Sequence, residues 1–562
     1  MKEVICIFVF FCSVLAYSRD FLFENDKSEY SIVVLNDDLE CVDTAAKELQ
    51  KYLQLVGNVN LPIVKCTQGI SKAIFLSLDV NGDKDSYHYF TVGNLLYITG
   101  GSERGLLYGV YAFLENELNV CWFTSDFTQI VRRNRYEITK LDIRSKPAFP
   151  YRLVFYYKAL TNDEWCAHNM LNTQNKVVKN SYGGMDAWWG MHTFDKLIPS
   201  SVYFNEHPEF FSLRDGRRIS NGQLCLTNPD LLTVLCKSLH DVIQKNPDYY
   251  VYDVSQNDNL LYCQCSKCEH MAKRYGGQTG LLIWFVNQVA ENISKKFPDK
   301  MIGTFAYRYS RSIPKGIYPH ENVAIRLCSF ECCFSHALNK CERNVNFLND
   351  LKAWSKLTPN INIYDYCVGF KQYLAPHPYF RSMAKRLCNY KDYGVKTILM
   401  LGQYESEWGE FSEMRAWVSA KLMWNPEQNV DSLAKKFIDG YYGRASSNIW
   451  NFYLLTQSIA DRDNHFTIYC DYKNKAYSNE YMKKAKTLLE YAAKQVVNDS
   501  EITKRVNRVL AQIYYLEVMQ SPVSSRFNGV LQKLRYIIEK DPTYAKEYRK
   551  TLNQALGFRV YL

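Results

Sequence analysis

The stretch YYVYDVSQND, residues 249–258, decides the fold. It runs through β-branched and aromatic residues over 249–254 and breaks into four polar ones, Ser255, Gln256, Asn257 and Asp258. That is a strand whose C-terminal end opens into a polar loop. The same form recurs at 151–157, 223–226, 301–307, 323–328, 361–366 and 397–401, and helical apolar spacing fills 228–244, 279–296, 345–356, 378–393 and 410–424. Strands alternating with helices predict a parallel sheet. About eight such units in roughly 280 residues predict an α/β chain whose centre, 146–428, is a (β/α)8 TIM-like barrel. The second strand is hidden between Trp165 and Leu197. Neither Gly-x-Gly-x-x-Gly nor a P-loop follows any strand, which weakens a nucleotide-dependent reading, and no cofactor is expected.

On either side the pattern changes. Residues 20–145 read as an α+β accessory domain, with strands at EYSIVVL (29–35), KAIFLSL (72–78), YHYFTV (87–92) and NLLYITGG (94–101) and helices at 42–55 and 105–118. TKLDIRSKPAFPYR (139–152) holds two prolines and crosses into the barrel. From 429 to 562 the pattern is helical with Lys/Glu faces, a further helical domain. At the start, Lys2, an apolar run over 4–15 and the small residues of Ala16-Tyr17-Ser18 read as a signal peptide of residues 1–18. The mature protein is therefore expected to be exported to the periplasm, the cell surface or the medium. No later apolar stretch reaches the ~20 residues of a membrane span.

Composition narrows the partners. The 562 residues are 47% apolar and 22% charged, the mix of an ordinary folded protein. A net charge of +10, with no long Lys/Arg run, makes nucleic acid an improbable partner. The chain carries 43 Tyr, 30 Phe and 10 Trp, most of them core filler, but a supply of rings with which to line a sugar site. Without the leader's Cys6 and Cys12, 16 of the 18 cysteines remain. Cys263, Cys265, Cys268 and His270 fall in YCQCSKCEH, and Cys328, Cys332, Cys333 and Cys341 form a second cluster. Zinc and disulfides both stay open; export favours disulfides between the clusters, and no metal is assigned.

Catalytic groups of a barrel stand at the C-terminal ends of its strands. That filter leaves Asn257 and Asp258 after the fourth strand, Glu331 in CSFECC after the sixth, and Asp365 between Tyr364 and Tyr366 after the seventh, while Tyr307, at the end of the fifth, reads as a substrate contact. After the eighth come Glu405, Glu407 and Glu410 around Trp408. Each alone also reads as a helix cap or a solvated charge; their arrival together is the argument. Arg152 and Arg326 are fork donors for sugar hydroxyls, Arg326 being equally a partner for Glu331. His192 in WGMHTF reads as a sugar contact or a hydrogen-bonded loop histidine, and Trp188, Trp189, Tyr366 and Trp408 as walls. Glycoside hydrolysis fits this set: an acid for the leaving oxygen, a second stabilising group and aromatic walls. Where the substrate carries a 2-acetamido group, its own carbonyl replaces the second carboxylate, and Asn257 beside Asp258 matches a polariser beside an acid.

GGSERGLLYGVYAFLENELNVCWF (100–123) with KPAFPYR (146–152) resembles the accessory domain and first barrel strand of family 20 hexosaminidases and family 67 α-glucuronidases. WWGMHTF (188–194), HPEFFSLRDGRR (207–218), QLCLTNP (223–229), VSQNDNLLYCQCSKC (254–268), TFAY (304–307) and IRLCSFECCFSH (325–336) together resemble glycoside hydrolase family 163. That resemblance, over about 30–460, implies a retaining endo-β-N-acetylglucosaminidase cutting the chitobiose core of N-glycans on a glycoprotein substrate, typical of exported proteins of gut Bacteroidetes. By analogy it makes Asp258 the acid and Asn257 the polariser. The alternatives are an exo-acting β-N-acetylhexosaminidase or uronidase, and a glycan-binding protein without catalysis.

Overall fold

The computed structural model describes residues 20–35, 39–65, 71–173, 180–184, 186–460, 463–520 and 525–541; the expected leader lies outside them. Backbone proximity divides the chain into two compact units, one of residues up to Val120 with Ile130–Ser145, the other of Cys121–Gln129 with everything from Lys146 on.

In the first unit a six-stranded mixed sheet takes the order Asp142–Ser145, Tyr87–Val92, Leu95–Gly100, Ala73–Leu78, Ser31–Val34, Ile63–Val64. The helices Glu40–Gly57 and Glu103–Leu118 pack against each other. Ser102 caps the second by accepting from the Gly105 N–H.

The second unit is built on seven strands: β1 (Tyr151–Phe155), β2 (Ala187–Trp189), β3 (Tyr249–Asp253), β4 (Met301–Ala306), β5 (Val323–Cys328), β6 (Ile361–Tyr366) and β7 (Thr397–Leu401). They form one curled, wholly parallel sheet in the order β1-β7-β6-β5-β4-β3-β2. Between them run α1 (Pro229–Lys245), α2 (Ser266–Arg274), α3 (Gln278–Ser294), α4 (Val345–Leu357) and α5 (Phe380–Asp392), and α6 (Ser412–Trp424) follows β7. Asn228 starts α1 by accepting from the N–H groups of Asp230 and Leu231, with Pro229 at the first helical position.

Among the described residues this is a TIM-like half-barrel and not the closed eight-stranded ring expected from the repeats. The hidden strand is Ala187–Trp189, but no strand forms at 223–226. The backbone there is spent on neighbouring loops: Gln223 N–H donates to Leu261 O (3.0 Å), Cys225 N–H to Phe210 O (2.8 Å), and Gln223 O accepts from Ser212 N–H (2.9 Å). So β3 pairs directly with β2. At the other edge Asn172 and Thr173 stand where β1 and β2 would meet. Asn172 Oδ1 accepts from Arg152 N–H (2.9 Å) and its carbonyl from Asp186 N–H (2.8 Å).

Inside the curl, Arg326 lies over the Trp188 indole with its guanidinium carbon 3.6 Å from a ring centroid. Gly303 makes the room, since a Cβ there would fall 2.5 Å from the Trp188 ring. Burial pushes the adjacent Asp253 carboxyl up to about 7, against the opposing pull of Arg326 and the Ser255 hydroxyl. Outside the curl, Asp365 is fully buried and meets Arg386 of α5 bidentately (Nη2 2.7 Å, Nε 3.1 Å), with Ser329 and Tyr379 hydroxyls completing its shell. Burial works against the Asp365 charge, but Arg386 and those hydroxyls outweigh it and hold the carboxyl below its usual range.

After α6 come α7 (Val430–Tyr442), α8 (Ser446–Ser458), α9 (Asn479–Gln495), α10 (Ser500–Gln520) and α11 (Ser525–Lys540). The segment between α8 and α9 returns to the strand ends: Phe466 O accepts from Phe334 N–H (2.7 Å), Ile468 O from Lys371 N–H (3.3 Å), and Tyr477 donates to Pro376 O (2.7 Å).

The disulfides expected between the two cysteine clusters are not formed. None of Cys263, Cys265, Cys268, Cys328, Cys332, Cys333 and Cys341 is joined in a disulfide. The first three converge on Cys225 instead, because 223–226 folds over the 261–268 loop, while His270 points outward on α2.

Two outcomes follow from the buried charges. Arg386→Met leaves the Asp365 carboxylate unpaired in the core and should cost about 3–5 kcal/mol in denaturant unfolding followed by circular dichroism. His377 is fully buried; desolvation first, then the Arg415 charge, lower its pKa to about 3. An unfolded histidine titrates near 6.5, so below that pH the unfolded chain binds a proton the folded chain refuses. Stability from this group is complete above about pH 6.5 and declines toward pH 3. His377→Gln should flatten the acid limb of a melting-temperature profile against pH.

Candidate active site

The C-terminal ends of the strands surround a cavity of about 420 Å³, a size suited to one or two sugar rings and within the usual range for ligand sites. Phe155 ends β1, Met191 and His192 follow β2, Asp258 follows β3, and Phe305, Tyr307 and Arg308 come from β4 and its end. Cys328 and Phe330 come from β5, Tyr364, Tyr366 and Phe370 from β6 and its loop, Tyr404 from beyond β7, and Ile468 and Tyr469 from the segment before α9. A second cavity, beside Tyr156, Lys158 and Glu407, holds only about 20 Å³ and is too small for a sugar.

Asp258 is the one carboxylate among these lining residues. The Tyr307 hydroxyl donates to its Oδ1 at 3.2 Å, and Arg308 Nη2 lies 3.6 Å from the same oxygen. Burial, then the Asp258 charge, push the Tyr307 hydroxyl above its ordinary value, so it donates and does not ionise. Burial opposes the Arg308 charge, but Tyr307 and Asp258 raise its pKa, and the guanidinium lies 5.1 Å from the Tyr307 ring centre and 5.8 Å from that of Phe330. Arg308 adopts φ +53°, a left-handed conformation that bends the chain just past β4 and sets its side chain beside Asp258. His192, at φ +52°, is anchored by its Nδ1 on the Gln256 carbonyl (2.7 Å) and by its N–H on Ser255 Oγ (3.1 Å).

Of the residues expected at the mouth, Asp258, His192, Tyr307 and Tyr366 line the cavity. The others lie elsewhere, each for a visible reason. Asn257 spends its amide on Gly222 O (2.9 Å) and on the Asp195 N–H (3.2 Å), tying two loops beneath Asp258. Glu331 pairs with Arg311, which also holds Asp350 of α4 (2.7 Å). Asp365 points to the helices while Tyr364 and Tyr366, its neighbours along the pleat, point to the cavity. Arg152 is buried and donates to Met170 O and Phe149 O, both at 2.8 Å. Arg326 sits deeper in the curl on Trp188, and Trp189 packs toward Tyr252. Glu405 is exposed on the loop after β7, and Trp408 is buried under the Arg508 guanidinium (4.6 Å). Glu410 is locked to Arg415 in the core.

The walls that sequence reasoning missed, Phe155, Phe305, Phe330, Tyr364 and Tyr404, occupy strand ends or the first residues beyond them. Period-two counting back from each strand end would have found Tyr364 with Tyr366. Ile468 and Tyr469 carry no such signal, since they arrive from 67 residues or more beyond Leu401, the end of the last strand.

No curated protein matches this sequence. Among solved structures, a family GH115 4-O-methyl-α-glucuronidase with specificity for decorated arabinogalactans aligns over 93% of this chain and 76% of its own, at 11% identity and a TM-score of 0.52, which shows a shared fold. A GH138 enzyme targeting pectin rhamnogalacturonan II aligns over 93% of this chain and 74% of its own, at 11% identity and a TM-score of 0.45. The family described as a domain of unknown function, DUF4838, matches residues 122–454, more than half of the chain, and the protein belongs to that family.

Proposed function

We propose that the protein is a glycoside hydrolase that cleaves beside a 2-acetamido sugar, acting as a retaining endo-β-N-acetylglucosaminidase on the chitobiose core of N-glycans. One observation carries the reading: an aromatic mouth in which, among the described residues, Asp258 is the one carboxylate. Mechanisms with two carboxylates need a second one facing the same sugar, about 5–9.5 Å from the first. Glu331, Asp365 and Glu410 are engaged elsewhere, and Glu405 does not line the mouth. The substrate-assisted route needs one acid only. Asp258 gives its proton to the glycosidic oxygen as that bond breaks, and the acetamide carbonyl oxygen bonds to the anomeric carbon, forming an oxazolinium ion. The Asp258 carboxylate then takes a proton from water, whose oxygen opens the ring with retained configuration. Tyr307 and Arg308 hold the carboxylate in position, and Tyr364, Tyr366 and Tyr404 offer ring faces to the sugar.

A second reading has its own observation. Arg308 lines the mouth, and a guanidinium fork suits the carboxylate of a uronic acid. The shared fold with an α-glucuronidase is compatible with an exo-acting uronidase.

Incubation with a panel of N-glycoproteins, followed by mass measurement of what is released, separates the two. Intact glycans, with one N-acetylglucosamine left on the protein, are expected; single sugars or uronic acids would overturn the endo reading. Asp258→Asn should lower turnover about 10²–10⁴-fold with glycan binding retained. Tyr307→Phe removes a hydrogen bond to a charged group and should cost about 10-fold or more in kcat with little change in KM.

A further inference from the structure

We infer that the protein holds two structural zinc ions, one on Cys225, Cys263, Cys265 and Cys268 and one on Cys333, His336, Cys341 and His465. In each group the ligand atoms lie within 4.8 Å of one another. For the first, Cys225 Sγ stands 3.7 Å from Cys265 Sγ and 3.8 Å from Cys268 Sγ. A tetrahedron with Zn–S bonds of about 2.3 Å has edges of about 3.8 Å, whereas a disulfide would bring two sulfurs to about 2.05 Å. Four thiolates around one divalent ion leave a net charge of −2, which requires donors around the sulfurs. They are present: Leu213 N–H (3.3 Å) and Arg218 Nη1 (3.8 Å) face Cys263 Sγ, and the Thr227 hydroxyl faces Cys268 Sγ (3.2 Å). Four protein ligands close the shell, which makes the site structural and not catalytic. It fastens the 223–226 segment, which forms no strand, to the loop that carries Asn257 and Asp258.

The second group stands on its own geometry. Cys333 Sγ lies 3.2 Å from His336 Nδ1, and Cys341 Sγ 3.6 Å from His465 Nδ1. A zinc tetrahedron with mixed sulfur and nitrogen ligands has S–N edges of about 3.5 Å. Three ligands come from the loop after β5 and the fourth from the segment before α9, so this ion pins the chain that brings Ile468 and Tyr469 to the mouth.

Elemental analysis of the purified, chelator-washed protein should find two zinc per chain. Cys225→Ser should lose one equivalent and His465→Gln the other. Cobalt exchanged into the wild-type protein should show sulfur-to-metal charge transfer and the d–d bands of tetrahedral cobalt, a readout that stands even where a variant fails to fold. Disulfides mapped among these cysteines, iron in place of zinc, or no bound metal would overturn both sites. Full zinc content in one folded variant would overturn the site that variant was meant to break.

Discussion

A parallel strand in a curled sheet can offer only every second side chain to the mouth, and that alternation sorts the chemistry of this protein. On β6 it sends Tyr364 and Tyr366 inward and Asp365 outward, into a bidentate pair with Arg386. Reversing the register by one residue would put a carboxylate in the cavity and two tyrosines against α5, and the buried pair resists that slip because an unpaired Asp365 or Arg386 would be left in the core. The cavity is thereby left aromatic, and the one carboxylate among its described lining residues, Asp258, comes from the loop after β3.

That loop is held from several sides. Asn257 bonds to Gly222 and Asp195, Gln256 donates to the Tyr307 carbonyl (3.0 Å), and Ser255 and Gln256 anchor His192. Asp258 is thus the exposed tip of a rigid turn, with Tyr307 and Arg308 of the neighbouring strand end beside it. Part of the wall, Ile468 and Tyr469, comes from the segment before α9, which does not belong to the strand-and-helix repeat.

Much of this was legible in the sequence. The strand ending in Ser255-Gln256-Asn257-Asp258 follows from patterning, and the rule that sites stand at strand ends points to Asp258, which lines the cavity. The second strand is expected only somewhere between Trp165 and Leu197, with no pattern to mark Ala187–Trp189. What was not legible shares one physical cause: a polar residue near a strand end has several partners available, and sequence does not say which is taken. Arg152 turned to backbone carbonyls, Glu331 to Arg311 and Trp408 to Arg508. The strand expected at 223–226 failed for a related reason, since its backbone bonds are met by residues 210–212 and 261. Cysteine spacing pointed to a cluster, but only the fold shows that Cys225, some forty residues earlier, is the fourth member.

The central claim is that Asp258 works alone, with the substrate's acetamide as nucleophile. Proton NMR of the first-formed reducing sugar, recorded before mutarotation, tests it most directly. The account predicts a β-anomer from a β-linked substrate, released by the wild-type protein and lost in Asp258→Asn. An inverted first product, or undiminished release by Asp258→Asn, would contradict it.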